Sequence, residues 1–266
     1  MQSTRSDVSD KESIYFDFQA EVGLTKHIGS VKATNELISL CKIESGKHVL
    51  DVGCGVGITD VYLAREYNVN ITGIDVNAGM LKRAKNYSEE DKVEDITCYI
   101  TADAQNLPFI DDYFDAVICE SLLVFVSDKN QALSEFIRVT KPGYYVGFTE
   151  SIWRGNKKEK MDEFLKKTAD PQARMETHET WVEILEESEL IDTVAHEYDV
   201  SITDYMWKQI KRIGVWRFLK VWGRTFRLFL TSGKYRGFVL ESSKLPLDLV
   251  EYIGYGVYTG KKPSKE

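Results

Sequence analysis

The stretch that decides the fold is Lys47–Asp60, KHVLDVGCGVGITD. Val49, Leu50 and Val52 form a short apolar run suited to a buried strand, and Val61, Leu63 and Ala64 open a helical pattern beyond it. Between them lie Gly53, Cys54, Gly55, Val56 and Gly57. A strand that runs through such a turn into a helix presents bare backbone where a ligand can approach closely. The spacing is informative. A dinucleotide fingerprint needs glycines at relative positions one, three and six. Here the sixth position is Ile58, and the pattern is instead Asp51-x-Gly53-x-Gly55-x-Gly57, with a second acid, Asp75, 22 residues after Gly53.

Outward from that stretch, strands and helices alternate. Ile71–Ile74 reads as a second strand ending in Asp75, where a carboxylate can accept the hydroxyls of a ribose. Met80, Leu81, Ala84 and Tyr87 recur at helical spacing, and Ile96–Thr101 reads as a third strand. A fourth spans Tyr113–Glu120, a helix spans 129–140, and a fifth strand covers Tyr145–Thr149 after Lys141-Pro142-Gly143-Tyr144.

The phrases LDVGCG, TGIDV, ADAQNLPF, FDAV and RVTKPG together resemble the class I S-adenosylmethionine (SAM) methyltransferases. Within them they are similar to the group that includes the ubiquinone and menaquinone methyltransferases, and the resemblance covers residues 35–150. It implies an α/β, Rossmann-like sheet with helices on both faces. It also implies SAM as cofactor and S-adenosylhomocysteine as product. By resemblance, Asp51 and the Gly53, Cys54, Gly55, Gly57 turn hold the methionine moiety, and Asp75 takes the ribose. Val76 and Met80 flank the adenosine, Asp103 and Ala104 fix the adenine, and Cys119 lines the cofactor floor.

Methyl transfer from a sulfonium asks mainly for orientation and desolvation, with a base only for some acceptors. Glu120, Tyr15 and His27 are the candidate bases, with His178 and His196 better suited to surface roles. Glu120 reads more simply as a solvated strand-end carboxylate, and Lys26 and His27, which could approach the SAM carboxylate, as ordinary surface residues. Cys119-Glu120-Ser121-Leu122 lacks the prolines typical of enzymes that methylate nucleobase amino groups, which argues against that group, though not against every RNA methyltransferase, and makes nucleic acid an unexpected partner. Tyr144 stands where relatives have a second glycine, and Phe125 where many have a histidine. Both changes make the acceptor side more aromatic. The four cysteines, Cys41, Cys54, Cys98 and Cys119, show no metal spacing and read as small hydrophobes, so no metal site is expected. The absence of a signal-like segment or a long apolar run leads to a cytoplasmic expectation.

A class I sheet needs two further strands, for which 193–202 and 252–260 are the candidates, preceded by a helix over 177–190 capped by Thr177 or Thr180. The expected organisation is an N-terminal arm and lid (1–30, with 1–13 loose), a SAM-binding core (31–202), a helical cap inserted between the last two strands (203–250), and the last strand and tail (251–266). Residues 205–240 carry nine Lys or Arg and no acid, leaving −17 for the rest of a chain whose net charge is −8. At 100° per residue, Val215, Phe218, Leu219, Trp222, Phe226, Phe229 and Leu230 share one face. Arg217, Lys220, Arg224 and Arg227 lie opposite. Three readings stay open for 215–230. One is a cap whose aromatic face packs on the core or on the second subunit of a homodimer. Another is a basic amphipathic helix that touches an anionic membrane peripherally or encloses a small or lipid-like acceptor. The third is a dock for protein or RNA. A SAM-binding scaffold without turnover is the non-enzymatic rival.

Overall fold

The computed structural model describes residues 5–24, 30–155, 158–200, 214–244 and 251–264. Seven strands form one sheet in the order β3-β2-β1-β4-β5-β7-β6. They are β1 His48–Val52, β2 Asn70–Asp75, β3 Thr97–Thr101, β4 Phe114–Glu120, β5 Thr140–Trp153, β6 Ile191–Asp199 and β7 Ile253–Lys261. The first five run parallel to one another, and β7 enters antiparallel between β5 and β6. Because β1 leads outward to β2 and β3 on one side while β4 and β5 lie on the other, the chain reverses direction across the sheet beside β1. That is where α/β sheets open a ligand crevice at the carboxyl ends of their strands.

Helices cover both faces, and the central strands are accordingly apolar on both sides. The helices are α1 Arg5–Val22, α2 Ser30–Leu40, α3 Ile58–Tyr67, α4 Ala78–Asp91, α5 Lys129–Val139, α6 Lys158–Thr168, α7 His178–Glu186, α8 Val215–Thr231 and α9 Gly233–Ser242. Val49, Ile71, Ala116 and Ile118 pack with Leu37, Val61 and Leu63 on one face. Leu50, Val52, Ile74, Val117 and Cys119 pack with Phe136, Ile137 and Trp181 on the other. The two-residue period of the strands thus divides one apolar run between two cores. Local signals fix the helix starts. Asn77 accepts from Met80 N at α4, Asp128 from Gln131 N at α5, and Thr177 from Thr180 N at α7.

Several boundaries differ from the sequence reading. The arm over 1–13 is helical from Arg5, because extending a helix already nucleated by its apolar part costs little per residue. Strand β5 begins at Thr140, before the Lys-Pro-Gly segment, and its pairing with β4 shifts register between Phe114 and Ala116. Strand β6 starts at Ile191, and α6 fills a segment for which the sequence pattern gives no expectation. Lys26, His27, Lys208, Lys211 and Arg212 lie outside the described residues.

Helix α8, with α9, stands between β6 and β7. Of its aromatic face Phe218 packs against the core, while most of the rest faces outward. Trp216, Leu219, Trp222, Phe226 and Leu230 are exposed, whereas Val221 and Leu228 are the buried positions. Arginines turn inward instead. Arg217 Nη2 donates to Asp91 Oδ2 (2.7 Å) and Glu90 Oε2 (3.3 Å), and its guanidinium lies 4.3 Å from the Tyr87 ring centroid. Arg224 Nη1 donates to the Val22 carbonyl oxygen at 3.2 Å. Charge-assisted bonds and a cation–π contact reward seating those arginines against α1 and α4, and that rotation turns the aromatic residues outward.

Candidate functional site

A cleft of about 610 Å³, counted with its open mouth, sits at the carboxyl ends of β1, β2 and β4. Its floor begins with the turn after β1. Gly53 N and Cys54 N both donate to the Ile74 carbonyl oxygen, at 2.8 and 2.9 Å, folding the turn back over β2. Gly53 has φ +78°, and a Cβ there would meet Leu122 Cδ2 at 2.8 Å. Gly57 has φ +73°, and a Cβ there would meet Ala84 Cβ at 2.7 Å. Both positions therefore require glycine on conformational and steric grounds.

At the end of β2, Asp75 Oδ2 accepts from Gly55 N (3.1 Å) and Oδ1 from Asn77 N (2.8 Å). The carboxylate thus joins the glycine turn to the start of α4. Burial raises its pKa above the ordinary carboxylate value, while those two amides oppose the shift. Below the floor, Asp60 is wholly buried. Its pKa is pushed up to about 7, first by burial and further by the charge of Glu120.

Glu120 ends β4 inside the cleft, but its oxygens are engaged. Oε1 accepts from Thr34 Oγ1 (2.7 Å) and Oε2 from Thr59 Oγ1 (2.6 Å), tying α2 and α3 to the strand end. One residue on, Ser121 adopts φ +57° and turns the chain toward Leu122 and the helical turn Leu123–Phe125. That turn is held by Glu150, whose Oε1 accepts from Leu123 N at 2.6 Å.

The roof is α1. Asn77 Nδ2 donates to Asp17 Oδ1 (3.3 Å), Arg83 Nε to the Ala20 carbonyl (3.2 Å), and Tyr87 Oη to the Gly23 carbonyl (2.9 Å). These bonds place Tyr15, Phe16 and Gln19 over the cleft. Tyr15 and Phe16 meet Phe125 across it, with ring centroids 5.8 and 5.2 Å apart. Tyr15 also touches Phe238 of α9 at 6.2 Å.

The cleft therefore brings together Asp51, Gly53, Cys54, Gly55, Asp75, Met80, Glu120 and Tyr15 from the residues singled out in the sequence. Gly57 underlies the turn without lining the cleft, and Cys119 is buried in the sheet. Val76 is exposed just past β2, and Ala104 is buried beyond the end of β3. Asp103 stands two residues past Thr101, the partner of Asp75 in the β2–β3 register, and its Oδ1 accepts from Gln105 N at 2.9 Å. His178 and His196 face elsewhere, Nδ1 of the first bonded with Tyr258 Oη (3.0 Å) and that of the second with Glu36 Oε1 (2.6 Å). Phe16, Gln19, Thr59 and Leu122 also line the cleft. Phe16 and Gln19 lie in no distinctive motif, and Thr59 and Leu122 lie inside quoted motifs that assign them no role, so the fold is what reveals them at the cleft. Among the described residues no cluster of His, Cys, Asp and Glu could hold a metal ion.

Residues 50–148 match the family model described as a methyltransferase domain. Over 192 residues the chain is 30% identical to an uncharacterized protein of Haemophilus influenzae, a match covering 70% of this chain and 76% of that one. Residues 50–148 belong to the methyltransferase-domain family. Among solved structures, this methyltransferase is similar to the [4+2]-cyclase SpnF, with a TM-score of 0.71, 21% identity and coverage of 98% and 97% of the two chains. It is also similar to phosphoethanolamine N-methyltransferase 2 of Haemonchus contortus in complex with SAM, with a TM-score of 0.73, 19% identity and coverage of 99% and 61%. At those identities the likeness establishes the fold. The methyltransferase spans about half or less of the length of the curated relatives that carry named activities.

Proposed function

We propose that this methyltransferase binds SAM in the cleft between the ends of β1, β2 and β4 and methylates a small, lipophilic acceptor admitted beneath α1. The observation that carries the reading is the two-sided character of the cleft. One wall offers Asp51, the Gly53–Gly55 backbone and Asp75, while the other offers the rings of Tyr15, Phe16 and Phe125.

The polar wall fits the cofactor. Close approach of Leu122 to Gly53 leaves no space for a side chain there, so a ligand would meet backbone. Asp75 keeps acceptor capacity beyond its two amide bonds, because a carboxylate offers about four lone-pair sites. Ribose hydroxyls would donate to it. Met80 is buried against the same wall and suits an adenosine flank, with Val76, Asp103 and Ala104 continuing the adenine side. Asp51 and the Gly53, Cys54, Gly55 and Gly57 turn would hold the methionine portion, with Cys119 beneath.

When bound, SAM supplies a methyl group on a sulfonium, and the electron pair of the broken carbon–sulfur bond stays on the sulfur of S-adenosylhomocysteine. The protein's share is orientation and exclusion of water. Tyr15, Phe16 and Phe125 present aromatic faces that favour a cationic centre and an apolar acceptor together. Glu120 serves to position α2 and α3 at the cleft, since both its oxygens already accept from threonine hydroxyls. No general base is invoked, which suits an acceptor that is nucleophilic or ionised on arrival.

The test is transfer of radiolabelled methyl from SAM into a cell extract that is then partitioned. Label in the organic phase is the expected result. Label confined to the aqueous phase would keep the enzyme and reject a lipophilic acceptor. Label in precipitated macromolecules would make α8 a docking element for protein or RNA, and no label in any fraction would favour a scaffold.

A further inference from the structure

We infer that the outer face of α8 docks this protein onto an anionic lipid surface. Trp216 is 82% exposed, Phe226 64% and Trp222 54%, and Val215, Leu219 and Leu230 are exposed beside them. At 100° per residue these six fall in one continuous stripe directly opposite buried Val221 and Leu228. Lys220 and Arg227 are exposed along one border of the stripe, and α8 contains no Asp or Glu. An apolar face with tryptophans, bordered by cations, is the composition of a helix that lies in the bilayer interface.

Charge and shape separate this occupant from its rivals. A second copy seated by two-fold symmetry would bring α8 against α8 and set Lys220 and Arg227 against their equivalents with no acid to offset them. A nucleic acid calls for cations at the centre of the contact, but the centre here is aromatic and Arg217 and Arg224 are committed to the protein body. An anionic headgroup layer satisfies both features, with the rings below the headgroups and the cations among them. The helix has 17 residues with charges interspersed, and no helix among the described residues is long and apolar enough to cross a membrane. It would therefore lie in the plane of the interface.

The placement also gives the face a use. Helix α8 packs against α1 and α9, and Phe238 of α9 touches Tyr15 in the roof of the cleft. A docked α8 would hold the aromatic wall of the cleft close to the headgroup layer, where a lipid-like acceptor is concentrated. That use rests on the proposed acceptor class; the docking itself does not.

The experiment is co-sedimentation of the full chain with phosphatidylcholine vesicles, pure or containing one-third phosphatidylglycerol, at low and high salt, with SAM affinity measured on the same samples. The expected result is binding to the phosphatidylglycerol vesicles that is at least about tenfold stronger than to the pure ones and is weakened by salt. The triple variant W216A/W222A/F226A should lose binding at least about tenfold while retaining SAM affinity. K220E/R227E should abolish the preference for phosphatidylglycerol. No binding by the unaltered chain, or equal binding by the chain and the triple variant, would overturn the inference. A lipid-free dimer that the triple variant dissolves would assign the face to a second copy and overturn it as well. SAM affinity retained alongside any of these failures would leave the methyltransferase reading intact.

Discussion

The β1–β4 half of the sheet and the α8–α9 pair are both rich in large apolar side chains, yet they dispose of them in opposite ways. In the sheet, burial is decided by the two-residue period, and every apolar residue of β1 finds a core on one face or the other. In α8 the pattern is equally regular, but the stripe it defines points to solvent while Arg217 and Arg224 face the body. A period identifies which residues share a face. What that face meets depends on the partner, and for α8 the adjoining surface offers Asp91, Glu90, Tyr87 and a helix-end carbonyl to arginine.

The contrast can be broken by substitutions that are similar on paper. Trp181 is wholly buried between Phe148 and Tyr258, with ring centroids 5.1 and 6.1 Å away. Trp181→Ala should cost about 3–5 kcal/mol in urea unfolding, the usual range for removing a large aromatic from a core. A loss under about 1 kcal/mol would mean that this side of the sheet is not packed as described.

Next in size is the pH dependence created by Glu150. Burial pushes its pKa up to about 8, from an ordinary 4.5. Below 4.5 the group is protonated in both folded and unfolded chains. Between 4.5 and 8 the unfolded chain releases the proton and the folded one retains it, so stability should fall as pH rises through that window and level off above it. Glu150→Gln preserves an oxygen acceptor for Leu123 N and should flatten this slope, an effect of a few kcal/mol at about 1.4 kcal/mol per pKa unit. An unchanged slope in unfolding measured from pH 4 to 9 would contradict the buried protonated state.

Arg217→Ala should destabilise by about 1 kcal/mol, because its ion pair is only partly shielded and its stacking on Tyr87 adds a modest increment. Asp91→Ala in the same background should add little, which a double-mutant cycle reads directly. The smallest effect belongs to Trp222→Ala, which should change stability by less than about 0.5 kcal/mol because the ring leaves the surface rather than a core. A large loss there would mean that the stripe is covered by protein in solution.

Legibility in the sequence follows the same division. The glycine turn, Asp75 and the alternation of strands with helices are local signals, and each was readable because its cause lies within a few residues. Thr177, Asn77 and Asp128 cap helices through bonds to amides three residues on, which is also a local matter. The roof was harder to read. Tyr15 and Phe16 are far in sequence from Phe125 and meet it because Asp17, Ala20 and Gly23 bond to α4 and its cap. The engagement of Glu120 by Thr34 and Thr59 spans 86 and 61 residues, beyond any motif. The inward turn of Arg217 depends on Asp91, 126 residues away.

The central claim is that the cleft behind the glycine turn is where SAM binds. Calorimetric titration of SAM into the protein and its Asp75→Ala variant tests it most directly. The account predicts saturable binding to the unaltered chain and a loss of about 1–3 kcal/mol in the variant, the cost of removing hydrogen bonds to a partly buried ligand. Equal affinity for both proteins would contradict it.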